Sequence, residues 1–257
     1  NPNQSEFVRT LRKRVDSYFK ENSISTLFET SEKIELSSIA SITLPTKNNL
    51  NSIYSDGNEF IIVGDSGTII SKKSIANKWN LTELDGKVSI SDFWKFSNGN
   101  KIFIGEKSSF VYENNGNYQW YSILDKSYLL NDILFVNDND GFVVGSKGLI
   151  ISTFDGGIKW DKVASNVSSN LFEINMKNNP IGYIVGMNGT ILKTIDAGLN
   201  WTVIEPFTNK YLRSIDFVNS EIGICVGGSG SIFRTLDNGK NWISVDGITK
   251  RPLNKIK

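Results

Sequence analysis

The sequence predicts an all-β fold, a β-propeller built from four-stranded blades, because two markers repeat with one period. Tryptophan recurs with spacings of 41, 40, 41 and 41 residues. The five positions are Trp79, Trp120, Trp160, Trp201 and Trp242. A glycine that ends an apolar run recurs with the same four spacings. These glycines are Gly64, Gly105, Gly145, Gly186 and Gly227. Two independent markers with a shared period indicate internal repeats.

Each repeat divides into four short strands. In residues 170–204, runs rich in Ile, Val, Phe and Tyr predict strands at LFEINMK, GYIVG, GTILKT and WTVI. Four strands in a unit of about 41 residues are typical of a propeller blade. The pattern V-G-x-x-G joins the second and third strands, where glycine allows a positive φ. The second unit departs from it, because Ser108 replaces the second glycine.

The repeats predict five clear blades within residues 43–247, in a propeller domain of residues 23–257. A composite sixth blade is also expected. LNKI (253–256) follows LRSI (212–215) by 41 residues, as a first strand would. STLFET (25–30) and SIASITL (38–44) align with the third and fourth strands of the first unit. Such a blade would be closed by both termini, and a plain five-bladed ring is the alternative.

Residues 1–22 are predicted to contain a short amphipathic helix. Phe7, Leu11, Val15 and Tyr18 fall on one helical stripe, and Ser5 is a suitable N-cap. A competing interpretation makes SYFKE (17–21) a strand of the sixth blade.

The phrase T-x-D-x-G-x-x-W closes three of the units. Its aspartates and tryptophans are Asp155, Asp196, Asp237, Trp160, Trp201 and Trp242. An aspartate in a turn accepts hydrogen bonds from backbone amides one or two residues ahead, glycine allows a left-handed turn, and tryptophan is expected to pack between blades. Because the three aspartates fall in different blades, we interpret them as structural. Ser74 and Asn115 replace the aspartate in the first two units.

This phrase resembles the Asp box, or bacterial neuraminidase repeat. Together with the GYIVG-x-x-G-x-I core, it is similar to the photosystem II assembly/stability factor family and its non-photosynthetic bacterial relatives, over roughly residues 43–247. The resemblance implies an exported, sometimes lipid-anchored scaffold for assembly or binding rather than an enzyme. Photosynthetic members resemble seven-bladed rings, for which this chain is too short.

Composition argues against several functional classes. The sequence has no histidine and one cysteine, Cys225, so the commonest general base near neutral pH is missing. It has only six arginines, whereas a sialidase needs an arginine cluster with a paired nucleophile and acid. Basic residues are not clustered as a nucleic-acid surface requires. The sequence therefore predicts no enzyme, no cofactor, no bound metal and no nucleic-acid partner.

A partner-binding face is predicted on the loops that lead from the fourth strand of one blade to the first strand of the next. Aromatic residues beside Lys and Arg in these loops suit protein capture. The candidates are Lys126, Tyr128, Glu205, Phe207, Lys210, Tyr211 and Arg213. First-strand acids are expected to line the central channel, holding water or else a cation or basic peptide. They are Asp92, Asp132 and Glu173.

The predicted function is a non-enzymatic protein-binding or assembly scaffold of the cell envelope, periplasmic or otherwise exported. Its partner is expected to be another protein, associated with the membrane or the envelope. Since the sequence does not begin with Met, a preceding segment could supply membrane association. The alternatives are a lectin-like carbohydrate module that uses Trp94, Tyr118 and Trp120, or a sialidase-like glycosidase.

Overall fold

The computed structural model describes residues 44–73, 78–122, 125–245 and 249–256. These residues form five antiparallel sheets of four strands each, which confirms the predicted all-β propeller-like architecture. The predicted N-terminal helix (1–22), the predicted strand at 25–30 and all but the last residue of the predicted strand at 38–44 lie outside the described residues.

Each sheet is a blade whose four strands follow one another in chain order. Blade 1 contains β1 (Leu50–Ser55), β2 (Glu59–Gly64), β3 (Thr68–Lys73) and β4 (Asn80–Glu83). Blade 2 contains β5 (Ile90–Lys95), β6 (Lys101–Gly105), β7 (Ser109–Asn114) and β8 (Asn117–Ser122). Blade 3 contains β9 (Leu130–Phe135), β10 (Gly141–Gly145), β11 (Ile150–Thr153) and β12 (Asp161–Lys162). Blade 4 contains β13 (Leu171–Asn178), β14 (Ile181–Gly186), β15 (Ile191–Thr194) and β16 (Thr202–Ile204). Blade 5 contains β17 (Leu212–Phe217), β18 (Gly223–Gly227), β19 (Ile232–Thr235) and β20 (Ile243–Val245).

The hydrophobic core lies between blades. Each buried cluster combines side chains of two consecutive blades. Between blades 2 and 3, for example, the Trp160 ring lies 5.6 Å from Phe110 and 5.9 Å from Phe135, measured between ring centroids. A single blade would expose both apolar faces, so each blade depends on its neighbours for burial.

The V-G-x-x-G links form three-residue 3-10 turns between the second and third strands. The middle residue of each turn is left-handed, as at Asn188 with φ 55°. The last glycine fits a crowded site, since a Cβ on Gly189 would overlap the carbonyl oxygen of Thr208. Ser108 fits the corresponding place in blade 2 because its hydroxyl donates to Asp125 O (2.5 Å) and accepts from Tyr128 N (3.2 Å).

The T-x-D-x-G-x-x-W turns are held by a buried threonine as much as by the aspartate. The Thr194 hydroxyl, 1% exposed, donates to Asp196 Oδ1 (2.8 Å) and accepts from Gly198 N (3.0 Å). Asp196 Oδ1 in turn accepts from Asn200 N at 2.9 Å. The expected reach of one or two residues is therefore wrong, because the two nearer amides have other acceptors: Ala197 N donates to Pro180 O and Gly198 N to the threonine hydroxyl. The aspartate instead accepts the amide four residues ahead.

Blade 2 lacks this turn and is built differently. Asn115 (φ 49°) and Gly116 (φ 83°) form a two-residue turn, and β8 pairs with β7 along its whole length. As a result Trp120 lies in the middle of β8, opposite Val111, and is 39% exposed. The expected packing of the T-x-D-x-G-x-x-W tryptophans between blades is seen for Trp160 and Trp201, which are buried in interblade clusters, and for the partly buried Trp242. Trp120, which is outside such a turn, does not share this packing.

The C-terminal residues continue the repeat beyond blade 5. Ile256 donates its backbone N–H to Ser214 Oγ (3.1 Å), just as Ile215, 41 residues earlier, donates to Glu173 Oε2 (2.7 Å). Leu253 N also bonds Gly227 O at 3.0 Å. Residues 253–256 thus occupy first-strand positions, and the other predicted strands of a sixth blade lie outside the described residues.

Replacing Thr194 by Val is expected to destabilise the protein while keeping its shape. The change removes a buried hydroxyl that both donates and accepts, so the free energy of unfolding should fall by about 1–3 kcal/mol. Urea unfolding measures it. The matched control is Thr202→Val on exposed β16. Equal losses in the two variants would contradict a structural role for the threonine hydroxyl.

Replacing Gly189 by Ala should destabilise far more than replacing Gly57 by Ala. Both glycines have positive φ, 69° and 83°, but nothing lies near a Cβ on Gly57. Gly57→Ala should therefore show only the backbone cost, about 1–2 kcal/mol. Gly189→Ala adds a clash with Thr208 O that the backbone must relieve. Urea midpoints compare the two variants, and indistinguishable midpoints would refute the packing argument.

Candidate functional site

The candidate surface, here called the loop face, combines two sets of segments at the same end of the blades. Backbone hydrogen bonds join them: Ser108 N to Tyr128 O (2.8 Å), Gly148 N to Ser169 O (2.8 Å) and Gly228 N to Tyr211 O (3.0 Å). The described loops between blades are 84–89, 125–129, 163–170 and 205–211, and the 3-10 turns are 65–67, 106–108, 146–148, 187–189 and 228–230.

Tyr128 forms one aromatic–cation cluster on this face. The Nζ atoms of Lys147 and Lys162 lie 5.5 and 5.0 Å from the centre of its ring. Lys162 Nζ also lies 3.3 Å from the phenolic oxygen. Cation–π attraction holds both lysines over a half-buried ring and concentrates positive charge there. Neither lysine was a candidate from the sequence, and the predicted Lys126 is an exposed neighbour in the same loop.

Arg213 forms the second cluster. Its guanidinium carbon lies 4.8 Å from the ring centre of Phe172, and Tyr211 meets the same ring edge-on at 6.3 Å and 83°. The structure therefore brings together Arg213 and Tyr211, which were both predicted from the sequence, through their contacts with Phe172, which was not predicted. The signal that could have found Phe172 is its spacing, because it precedes Arg213 by 41 residues and shares its first-strand position.

The remaining loop candidates do not join either cluster. Phe207 packs inward, with its ring 4.9 Å from Phe233 and 5.9 Å from Trp242, although 36% of it stays exposed. Glu205 and Lys210 are exposed charges in the same loop.

The first-strand carboxylates connect neighbouring blades. Asp92 Oδ2 accepts from Ile133 N (3.3 Å), and Asp132 Oδ2 accepts from Ile174 N (2.8 Å). Glu173 accepts from the next blade in the same way and is also bound by Lys255 Nζ. The geometry thus uses these carboxylates as acceptors for the next blade.

Burial and neighbouring charges change the pKa values of Asp132 and Lys255. Burial, and then repulsion from Asp92 and Glu173, raises the pKa of Asp132 well above its usual value. Burial disfavours the charge on Lys255, but attraction from Asp132 and Glu173 outweighs this and raises its pKa.

In the part of the chain that the structure describes, no group of three or more His, Cys, Asp or Glu is arranged to hold a metal ion. That part also contains no helix of the length and apolarity needed to cross a bilayer.

Replacing Asp132 by Asn should make the protein less sensitive to pH. The folded state binds a proton on Asp132 more tightly than the unfolded state does, so its contribution is present below the unfolded pKa of about 3.9 and is lost as pH rises through the raised folded pKa. The asparagine side chain keeps an oxygen for Ile174 N without the charge. Urea unfolding across this range should show a smaller decline for the variant, and parallel profiles would contradict the raised pKa.

Comparison with solved structures shows the same fold in proteins of different function. The chain is similar to YCF48 bound to a D1 peptide, with 18% identity, 80% of this chain and 70% of that chain covered, and a TM-score of 0.63. It is similar to YCF48 from Cyanidioschyzon merolae at 16% identity, covering 82% and 88% of the two chains, with a TM-score of 0.54. It is also similar to a catalytically inactive virginiamycin B lyase from Staphylococcus aureus with quinupristin. The identity is 15%, the match covers 81% of this chain and 73% of that chain, and the TM-score is 0.68. At these identities the likeness shows the fold alone.

The family comparison is more specific. No curated protein matches the chain. A family model described as "Photosynthesis system II assembly factor YCF48" matches residues 113–205 and 159–255, which together span more than half of the chain. The matched segments contain the three T-x-D-x-G-x-x-W turns, the Arg213 cluster and the carboxylate of Glu173. The chain belongs to the photosynthesis system II assembly factor YCF48 family.

Proposed function

We propose that this chain is a non-enzymatic scaffold that binds another protein through its loop face. The observation that carries the proposal is the pair of aromatic–cation clusters on that face, around Tyr128 and around Arg213. Aromatic side chains and arginine are enriched in the energetically dominant parts of protein interfaces.

The Arg213 cluster suits an anionic segment of a partner. Stacking on Phe172 restricts the guanidinium plane before binding, so less side-chain entropy is lost when the partner docks. A planar guanidinium can donate two parallel hydrogen bonds to one carboxylate. Tyr211 adds apolar contact area beside it. A partner segment with a carboxylate next to an apolar side chain fits this arrangement.

Two comparisons support a protein as the partner. The chain belongs to an assembly-factor family, and a similar YCF48 structure contains a bound D1 peptide. The similar lyase is an enzyme, and its solved inactive form carries a histidine-to-alanine change, whereas this sequence contains no histidine. The first-strand carboxylates accept backbone hydrogen bonds from neighbouring blades, which favours a structural role for them.

We further propose that the scaffold works in the cell envelope as an exported protein, with a membrane or envelope protein as its partner. The support is the resemblance carried by the sequence motifs, which implies an exported protein. Fractionation of source cells with an antibody to this chain tests the location. Recovery in the cytosolic fraction alone would overturn it.

Replacing Arg213 by Glu is expected to weaken partner recovery about tenfold, equivalent to about 1.4 kcal/mol of binding free energy. The change removes the cation and puts a negative charge where the partner's carboxylate would dock. Quantitative mass spectrometry of proteins that co-purify with the tagged chain from source-cell membranes measures the effect.

The matched control is Lys240→Glu, the same charge change on an exposed residue of a T-x-D-x-G-x-x-W turn at the other end of the blades. It should leave recovery unchanged. Equal recovery with both variants, each with normal urea unfolding, would remove the loop face as the binding surface.

A further inference from the structure

A second candidate site, which is concave, lies at the other end of the blades from the loop face. A cavity of about 800 Å³ opens between the β7–β8 hairpin of blade 2 and the turns of blade 3. This is within the size range of small-ligand sites. Six of the residues that line this cavity define the surface that is here called the amide cleft. They are Tyr112, Asn114, Asn117, Gln119, Tyr121 and Asn139.

The cleft exists because blade 2 departs from the repeat. Blades 3, 4 and 5 close this end with a T-x-D-x-G-x-x-W turn, whereas blade 2 has the two-residue turn at Asn115 and Gly116. Its fourth strand has six residues, against two to four in the other blades. The longer hairpin presents side chains where the other blades have a turn.

Strand register places the lining side chains on one face of this hairpin. Tyr112 pairs with Gln119, and Asn114 pairs with Asn117. Paired residues in an antiparallel ladder point to the same side. That side faces blade 3, because the Tyr112 hydroxyl donates to Gly157 O.

Two tyrosines form a corner in the cleft. The rings of Tyr112 and Tyr121 meet edge to face, 5.0 Å apart at 78°. Burial raises the pKa of Tyr112 to about 12, so its hydroxyl stays protonated. Tyr121 is 44% exposed and offers a ring to a ligand. Nearby amide groups each donate and accept hydrogen bonds.

The charges in the cleft are already engaged. Glu113 binds Lys101 Nζ (2.8 Å) and Gly116 N (2.5 Å). Asp138 accepts from Ser97 N (3.1 Å) and from the Ser97 hydroxyl. No lysine or arginine is among the described residues that line the cleft. Two carboxylates without a lining cation disfavour an anionic ligand, while the amides and phenols suit a neutral one.

We propose that the amide cleft binds a neutral oligosaccharide. Sugar hydroxyls both donate and accept, which matches the amide side chains, and the apolar face of a pyranose ring can lie on Tyr121. Of the aromatic residues considered from the sequence for carbohydrate binding, none presents its ring to the cleft. Tyr118 borders the cleft, but its ring lies on the other side of β8, 6.2 Å from Phe103. Trp94 packs 5.9 Å from Phe135, and Trp120 lies on the other side of β8. This site is separate from the loop face and does not depend on the proposed scaffold function.

The test measures binding of cellotetraose, chitotetraose, maltotetraose and mannotetraose at millimolar concentration by saturation-transfer NMR and calorimetry. We expect at least one to bind, and Tyr121→Ala and Gln119→Ala each to weaken it about tenfold. Both residues are exposed, so urea unfolding should be unchanged. The matched control Tyr128→Ala, on the loop face, should bind the sugar normally.

Several outcomes would overturn the proposal. They are no binding of any of the four sugars, unchanged affinity in Tyr121→Ala, or binding of decaproline or sialyllactose in place of the neutral sugars. Decaproline represents a peptide that docks on aromatic grooves, and sialyllactose represents an anionic glycan. Recovery of the protein partner by Tyr121→Ala should remain normal, which separates this site from the loop face.

Discussion

The structure depends on one repeated hydrogen bond between neighbouring first strands. A polar side chain on the first strand of one blade accepts the backbone N–H of the first strand of the next blade. Asp92, Asp132, Glu173 and Ser214 serve in turn, and their donors follow 41 or 42 residues later. First strands have no ladder partner on their inner side, so these N–H groups would otherwise be unpaired there. This hydrogen bond, here called the interblade joint, sets the spacing between first strands that the interblade clusters require.

The joint also has an electrostatic cost. Burial, and then repulsion from Asp92 and Glu173, raises the pKa of Asp132, and the positive charge of Lys255 offsets part of this shift. A hydrogen bond from a backbone amide stabilises a carboxylate, whereas burial and like charge destabilise it. The first strands therefore hold their carboxylates in position for the interblade hydrogen bonds, although the carboxylates repel one another there. The apolar contacts between blades supply the compensating stability.

The 41-residue period was sufficient to predict the number and order of the described strands, because each marker falls at a fixed place in a blade. It did not predict what the first-strand acids bind, since the partner amide belongs to another blade. Phe172 was missed because a phenylalanine in an apolar strand is usually core. The exposure of Trp120 had a visible signal: the Asn115-Gly116 pair is typical of a two-residue hairpin turn, which moves the tryptophan into the strand. The aspartate's reach of four residues required knowing that the nearer amides donate to a threonine hydroxyl and to the backbone carbonyl of Pro180.

The joint between blades tolerates chemical variation, since Asp, Glu and Ser each occupy the acceptor position. What it requires is an oxygen at the right distance from a backbone amide, and every unit supplies that amide whatever its side chains are. Unequal recombination that gains or loses a whole unit in register would recreate the same joint at the new boundary. Blade number can therefore change during evolution without the invention of a new interface, while individual blades, such as blade 2, diverge at their outer strands.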